Sequence, residues 1–177
     1  MFKRFWMSGA LILILAAPAF GQGLYIGPQL GYQKARDADQ GLPMLGAMAR
    51  LKVVPALGIE GSINYRTEHF FDGAVTVRGW PVMLTGLLYP VPYLHGAMGF
   101  GWYNTTFEFE SPLLEDHTEQ KVGWHFGAGA ELPLGRARLT GDIGYVFLDY
   151  DFGAVPGIED SNADFYVIMA GLLIPIP

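Results

Sequence analysis

The feature that most restricts this chain's fold is an alternation of period two whose two faces differ in bulk as well as polarity. From Val122 to Leu132, Val122, Trp124, Phe126, Ala128, Ala130 and Leu132 alternate with Gly123, His125, Gly127, Gly129 and Glu131. Leu94, Met98, Phe100 and Trp102 are likewise opposed by His95, Ala97, Gly99 and Gly101. In a strand, residues two apart share a face. The pattern therefore predicts a sheet with one bulky apolar surface and one small, polar surface. Eight such runs follow Gln22, each roughly ten residues long. The fourth, over 74–89, has an unclear phase, and the eighth, over 163–174, is apolar on both parities.

The connections alternate as well. Those at Pro55, at Pro90–Pro92 and at Pro133–Gly135 are tight, whereas 34–42, 67–73, 108–119 and 149–164 are longer and polar. An up-and-down meander places alternate connections at opposite ends, so one end carries short turns and the other long loops. Fourteen of the 17 carboxylates fall in or beside the long connections; the others, Glu60, Glu131 and Asp142, sit on the small-and-polar parity.

Sterics decide which face points inward. An eight-stranded barrel has an interior that side chains alone can fill. Aromatic residues from every strand would overfill it, while Gly, Ala and a few long polar chains fit. An outward apolar surface of this extent belongs in lipid. Strands that cross lipid must close into a barrel so that no backbone group stays unpaired. The expected fold is all-β: an eight-stranded, antiparallel, up-and-down transmembrane β-barrel in the bacterial outer membrane.

Residues 1–21 read as a cleavable signal peptide, and 22–177 as the barrel domain. Lys3 and Arg4 precede an apolar stretch from Phe5 to Ala17, and small residues surround Pro18. Some 13 residues are too few to span a bilayer as a helix, which needs about 20. There are no cysteines, which excludes disulfides, thiolate metal sites and a cysteine nucleophile. A net charge of −6 argues against nucleic acid as a partner.

On these residues the chain resembles the small eight-stranded outer membrane β-barrel proteins of the OmpA-like and OmpX-like kind, from Gly23-Leu24-Tyr25-Ile26-Gly27 to the last strand. Gly171, Ile174 and Ile176 occupy the Gly and apolar positions of that family's C-terminal assembly signal. Met169 replaces its polar residue, Ile176 its aromatic one, and Pro177 follows.

The inward parity is expected to hold Arg50, Lys52, Glu60, Arg66, Arg78, His95, His125, Glu131, Arg138 and Asp142. Charges enclosed in so narrow a lumen must pair, so an internal network of salt bridges and hydrogen bonds is expected. This favours a non-enzymatic barrel with a polar plug, whose acidic external loops serve envelope structure or surface interaction. A narrow ion-conducting pore, an outer-membrane lipid-modifying enzyme and a secreted soluble barrel with an apolar ligand inside are the alternatives. An enzyme would need serine, histidine and carboxylate near the rim. His69 and His117 fall in loops, His95 and His125 in strands, with Ser62, Ser111 and Ser161 as the available serines, and no His-x-Ser pair shares a strand face. Asp160-Ser161-Asn162-Ala163-Asp164 has the spacing that opens a calcium loop, but Phe165 and Gly171 stand where that loop needs Gly and Glu. No cofactor or metal is expected. Expected partners are outer membrane lipids, including lipopolysaccharide, and an extracellular protein or surface reached through the loops.

Overall fold

The computed structural model describes residues 23–36, 40–70, 75–109, 117–148 and 164–177. The predicted signal peptide and all of the calcium-like motif except Asp164 lie outside them. Among the described residues nine strand segments follow one another: β1 (Gly23–Ala35), β2 (Leu42–Val54), β3 (Leu57–Phe70), β4 (Val75–Gly79), β5 (Val82–Val91), β6 (Leu94–Phe109), β7 (His117–Leu134), β8 (Ala137–Phe147) and β9 (Phe165–Ile176). All pairings are antiparallel, and β1 pairs with both β2 and β9, so the sheet closes on itself.

β4 and β5 together occupy the place of one barrel strand. On β3 the register runs Arg66↔Gly79 in β4 and Ile63↔Val82 in β5, with no residue gained or lost across the gap. On β6 it runs Gly79↔Thr105 and Val82↔Trp102, again unshifted. The interruption is Trp80-Pro81, where proline has no N–H to give to the ladder. Single backbone bonds still hold the two residues: Trp80 N donates to Asn104 O at 2.9 Å, and Asn64 N donates to Pro81 O at 3.0 Å. The Asn104 carboxamide donates to Trp80 O at 3.2 Å. Eight barrel strands therefore appear as nine segments.

The short connections are two-residue turns closed by Val54↔Leu57, Val91↔Leu94 and Leu134↔Ala137. Pro92-Tyr93 places Tyr93 at φ 74°, the position of a type II turn that wants positive φ after proline. Gly135, at φ 63°, supplies the left-handed residue of the third turn without a Cβ penalty. At the seam, Leu24↔Ile176 and Tyr25↔Pro175 stay in register, so the departures at the C-terminus leave the closing pair intact.

Trp124, Phe126 and Phe147 lie exposed on the outer wall, as the alternation predicts. So do Ile26, Leu30, Met98, Leu132, Ile143 and Ile168. The outer aromatic residues gather toward the loop end of β6 to β9, where Phe100–Trp124 and Tyr145–Tyr166 ring centroids lie 5.9 and 4.9 Å apart. The inner wall departs from expectation in bulk. Tyr25, Tyr89, Tyr103, Phe165, Leu173 and Val146 point inward and are buried. Glycines make the room: a Cβ on Gly123 would lie 2.8 Å from the Leu148 side chain and 3.0 Å from the Tyr103 ring. β9 is apolar on both parities because Phe165, Met169 and Leu173 face the lumen while Tyr166, Ile168 and Ile174 face out.

Candidate functional site

The lumen divides into two unlike halves. Toward the short turns, charged side chains from four strands converge on Arg50, whose side chain is fully buried. Arg50 stands directly across from Glu60 on β3; its Nε donates to Glu60 Oε2 at 2.7 Å. Its Nη1 reaches across the lumen to Glu131 Oε1 on β7 at 2.9 Å, and its Nη2 lies 3.8 Å from Asp142 Oδ2 on β8. Glu131 is also fully buried, and its Oε2 accepts from Lys52 Nζ at 2.8 Å and from Arg138 Nη1 at 3.0 Å. The Tyr89 hydroxyl donates to Glu131 Oε1. Asp142 accepts from Thr140 Oγ1 at 2.8 Å, and its Oδ1 lies 2.6 Å from His95 Nε2. Lys52 Nζ sits 4.2 Å from the centre of the Tyr89 ring. Three permanent cations thus meet three carboxylates, with His95 beside them. Enclosed charge is tolerated where it is paired and its remaining lone pairs are satisfied.

Midway along the barrel lies a cavity of about 60 Å³ lined by Gln29, Ser62, Thr85 and His125 among others. It has room for a few waters, at roughly 10–15 Å³ each. His125 Nε2 is 2.9 Å from Thr85 Oγ1, and Gln29 Nε2 donates to Asn64 Oδ1 at 2.7 Å. Among the described residues, the Nδ1 atoms of His95 and His125 and the Nδ2 of Asn64 are buried without a partner.

Toward the loops the lumen changes character. Tyr103, Val146, Leu148 and Phe165 form an apolar layer, with Met83 and Val167 packed against it. The Tyr103 and Phe165 rings meet edge to face, 5.7 Å apart. Asp164 ties the adjoining strand ends together: its carboxylate accepts from the Tyr145 hydroxyl at 2.9 Å, and its carbonyl from Arg36 N at 3.0 Å.

Of the ten residues placed in the lumen by sequence, seven (Arg50, Lys52, Glu60, His95, Glu131, Arg138 and Asp142) lie in the Arg50 group. His125 faces the middle cavity, and Arg66 lies nearer the loops, beside Gly79. Arg78 does not face the lumen. Gly79 and Pro81 are the buried residues there, so the even residue Arg78 is exposed, and it pairs with Glu108 at 2.7 Å. The fourth run carries too few polar residues to fix its phase, which is why Arg78 was misplaced. Tyr89 belongs to the same run and was missed for the same reason. Thr140 shares the parity of Arg138 and Asp142 but carries no charge. Among the described residues, no three His, Cys, Asp or Glu side chains come together as metal ligands would.

The family profile described as outer membrane protein beta-barrel domain matches residues 7–173. The chain belongs to that family. A search of curated protein sequences finds no match. Among solved structures, this barrel resembles Neisserial surface protein A at TM-score 0.57 and 10% identity, over 88% of this chain and 98% of that one. It resembles OprG of Pseudomonas aeruginosa at 0.56 and 16%, over 87% and 96%. It resembles Ail, the attachment invasion locus protein of Yersinia pestis, at 0.53 and 16%, over 87% and 97%; that structure holds the heparin analogue sucrose octasulfate. These likenesses carry the fold. The family places the barrel in the bacterial outer membrane, with its aromatic and aliphatic exterior toward acyl chains.

Proposed function

We propose that this barrel is a non-enzymatic outer-membrane protein with a closed lumen, working through its acidic external connections in envelope structure or surface interaction. The Arg50–Glu131 pair carries the proposal. Two fully buried side chains from β2 and β7 bridge the lumen at 2.9 Å, where a conducting path would have to pass. The apolar layer at Tyr103 and Phe165 is a second obstruction in series. Residues 1–21 act as the export signal and are removed. Lipopolysaccharide is the immediate neighbour of such a barrel. The sulfated sugar held by Ail belongs to that protein; 17 acidic residues and a net charge of −6 here favour a cationic surface, or anionic lipid bridged by divalent ions.

A narrow pore is the second proposal, favoured by the cavity midway along the lumen, where Gln29, Ser62, Thr85 and His125 offer hydrogen-bonding groups. Planar-bilayer recording of the purified protein separates the two. A closed lumen gives no steady single-channel steps, and a sustained ohmic current from the unmodified barrel would overturn it.

A further inference from the structure

The outward face of β1 changes chemistry along its length. Leu24, Ile26, Pro28 and Leu30 are followed on the same parity by Tyr32, Lys34 and, just past the strand, Arg36. Apolar residues, then a tyrosine, then cations is the order met on leaving acyl chains for headgroups, with tyrosine collecting at the boundary. Register fixes the neighbours. Lys34 stands directly across from Tyr166 on β9, and Tyr166 across from Tyr145 on β8. The Tyr145 and Tyr166 rings meet edge to face, 4.9 Å apart. Tyr32, Tyr166 and Arg36 are exposed, and Lys34 is half-buried. Two cations thus crown a patch of three tyrosines on the outer wall.

These two charges are not spent on the protein. Arg78, also outward at this end, has Glu108 at 2.7 Å. Among the described residues, neither Lys34 nor Arg36 has an ion-pair partner. Asp164 faces Arg36 across the seam, but its carboxylate is turned to β8, where it accepts from the Tyr145 hydroxyl at 2.9 Å and from Leu148 N at 3.4 Å. Its carbonyl accepts from Arg36 N at 3.0 Å, which fixes the Arg36 backbone in place. The Tyr32 hydroxyl accepts from Gly41 N at 2.8 Å, so its own proton is left to give. Residues two apart on a strand sit about 6.6 Å apart on one face, close enough for both cations to reach one phosphate. A phosphomonoester carries about −1.5 to −2 at neutral pH and a phosphodiester about −1, so a pair of cations favours the first.

We infer that Lys34 and Arg36, with the Tyr32 hydroxyl below them, bind a phosphomonoester of the lipid A headgroup of lipopolysaccharide, directly and without a bridging metal. The inference rests on the reading above that the long connections are external, which puts this end of β1 in the leaflet that carries lipopolysaccharide. Channel recording decides the closed lumen and lipid binding decides this site, so either can fail without the other.

Native mass spectrometry of the detergent-extracted barrel tests this in EDTA. The probes are bisphosphorylated lipid A, the same lipid A stripped of phosphate, and phosphatidylglycerol. Bisphosphorylated lipid A should bind at least tenfold more tightly than either of the others. Lys34→Gln combined with Arg36→Gln should weaken its binding tenfold or more and leave the phosphate-free lipid unchanged. Arg78→Gln, at a paired cation on the same wall, should change neither. Heat-modifiable gel migration reports folding of each variant. Equal binding of the three lipids, unchanged affinity in the folded double variant, or an equal loss in Arg78→Gln would overturn the inference. So would binding that appears only when magnesium replaces EDTA, which would give the phosphate to the acidic connections instead.

Discussion

The two halves of the lumen solve one packing problem by opposite means. On the short-turn side, Arg50, Lys52 and Arg138 meet Glu60, Glu131 and Asp142, and charge that cancels fills the space beside a small apolar cluster of Tyr25, Met48 and Leu173. On the loop side, Tyr103, Val146, Leu148 and Phe165 fill it by shape. The two kinds of filling respond differently to damage. Removing one member of a buried ion group strands its partners without solvent, while trimming a ring leaves a hole whose cost is set by lost contacts. The charged half should therefore be brittle, and the apolar half graded.

Arg50→Ala gives the largest expected effect. It leaves Glu60 without its cross-strand cation and Glu131 without its bond across the lumen. A loss of about 5 kcal/mol, the upper end for breaking a buried pair, is expected. Urea unfolding of the barrel in micelles, followed by tryptophan fluorescence, measures it. A loss under about 1 kcal/mol would mean that the group is hydrated and the division between halves is false.

Phe165→Ala comes next, at about 3 kcal/mol for a buried ring replaced by a methyl. It sharpens the comparison when joined to Arg50→Ala. The residues lie in different halves, so the stability losses should add. Conductance should not. Either seal alone suffices to stop current, and only the double variant is expected to show steady channel steps in planar bilayers. Steps from Phe165→Ala alone would show that the ion group does not close the lumen.

The same division explains what could be read from the sequence. The outward face was legible because bulk and parity agree: Trp124 and Phe126 each sit between small or polar neighbours. Most of the charged half was legible too, because an ionisable residue among glycines has few reasons to be there except a partner. Glu131, on the same parity as Gly127 and Gly129, is the clearest instance. The inward apolar residues were not legible. Phe165, Met169 and Leu173 share their strand with outward Tyr166, Ile168 and Ile174, so polarity carries no phase. Their inward direction depends on space left by glycines on other strands, such as Gly123 beside Tyr103, and alternation along one strand cannot report that. The run from Ala74 to Tyr89 failed similarly. Its inward tyrosine and its outward arginine reverse the usual polarity of the two faces.

Arg78→Ala is the smallest expected effect, and it separates enclosure from charge. Arg78 also pairs with a carboxylate, Glu108, at 2.7 Å, closer than the 2.9 Å between Arg50 and Glu131. Distance alone would rank the two pairs together. The Arg78 side chain is 47% exposed, however, against 0% for Arg50. Solvent and salt screen an exposed pair, and such pairs contribute less than about 1 kcal/mol. Arg78→Ala should accordingly shift the urea midpoint by less than about a fifth of the Arg50→Ala shift. What little it does cost should vanish at 1 M salt, where the screening length is about 3 Å. An effect of Arg78→Ala that matched Arg50→Ala and persisted in high salt would place Arg78 in an enclosed network after all, and would reverse the inward assignment of Gly79 and Pro81.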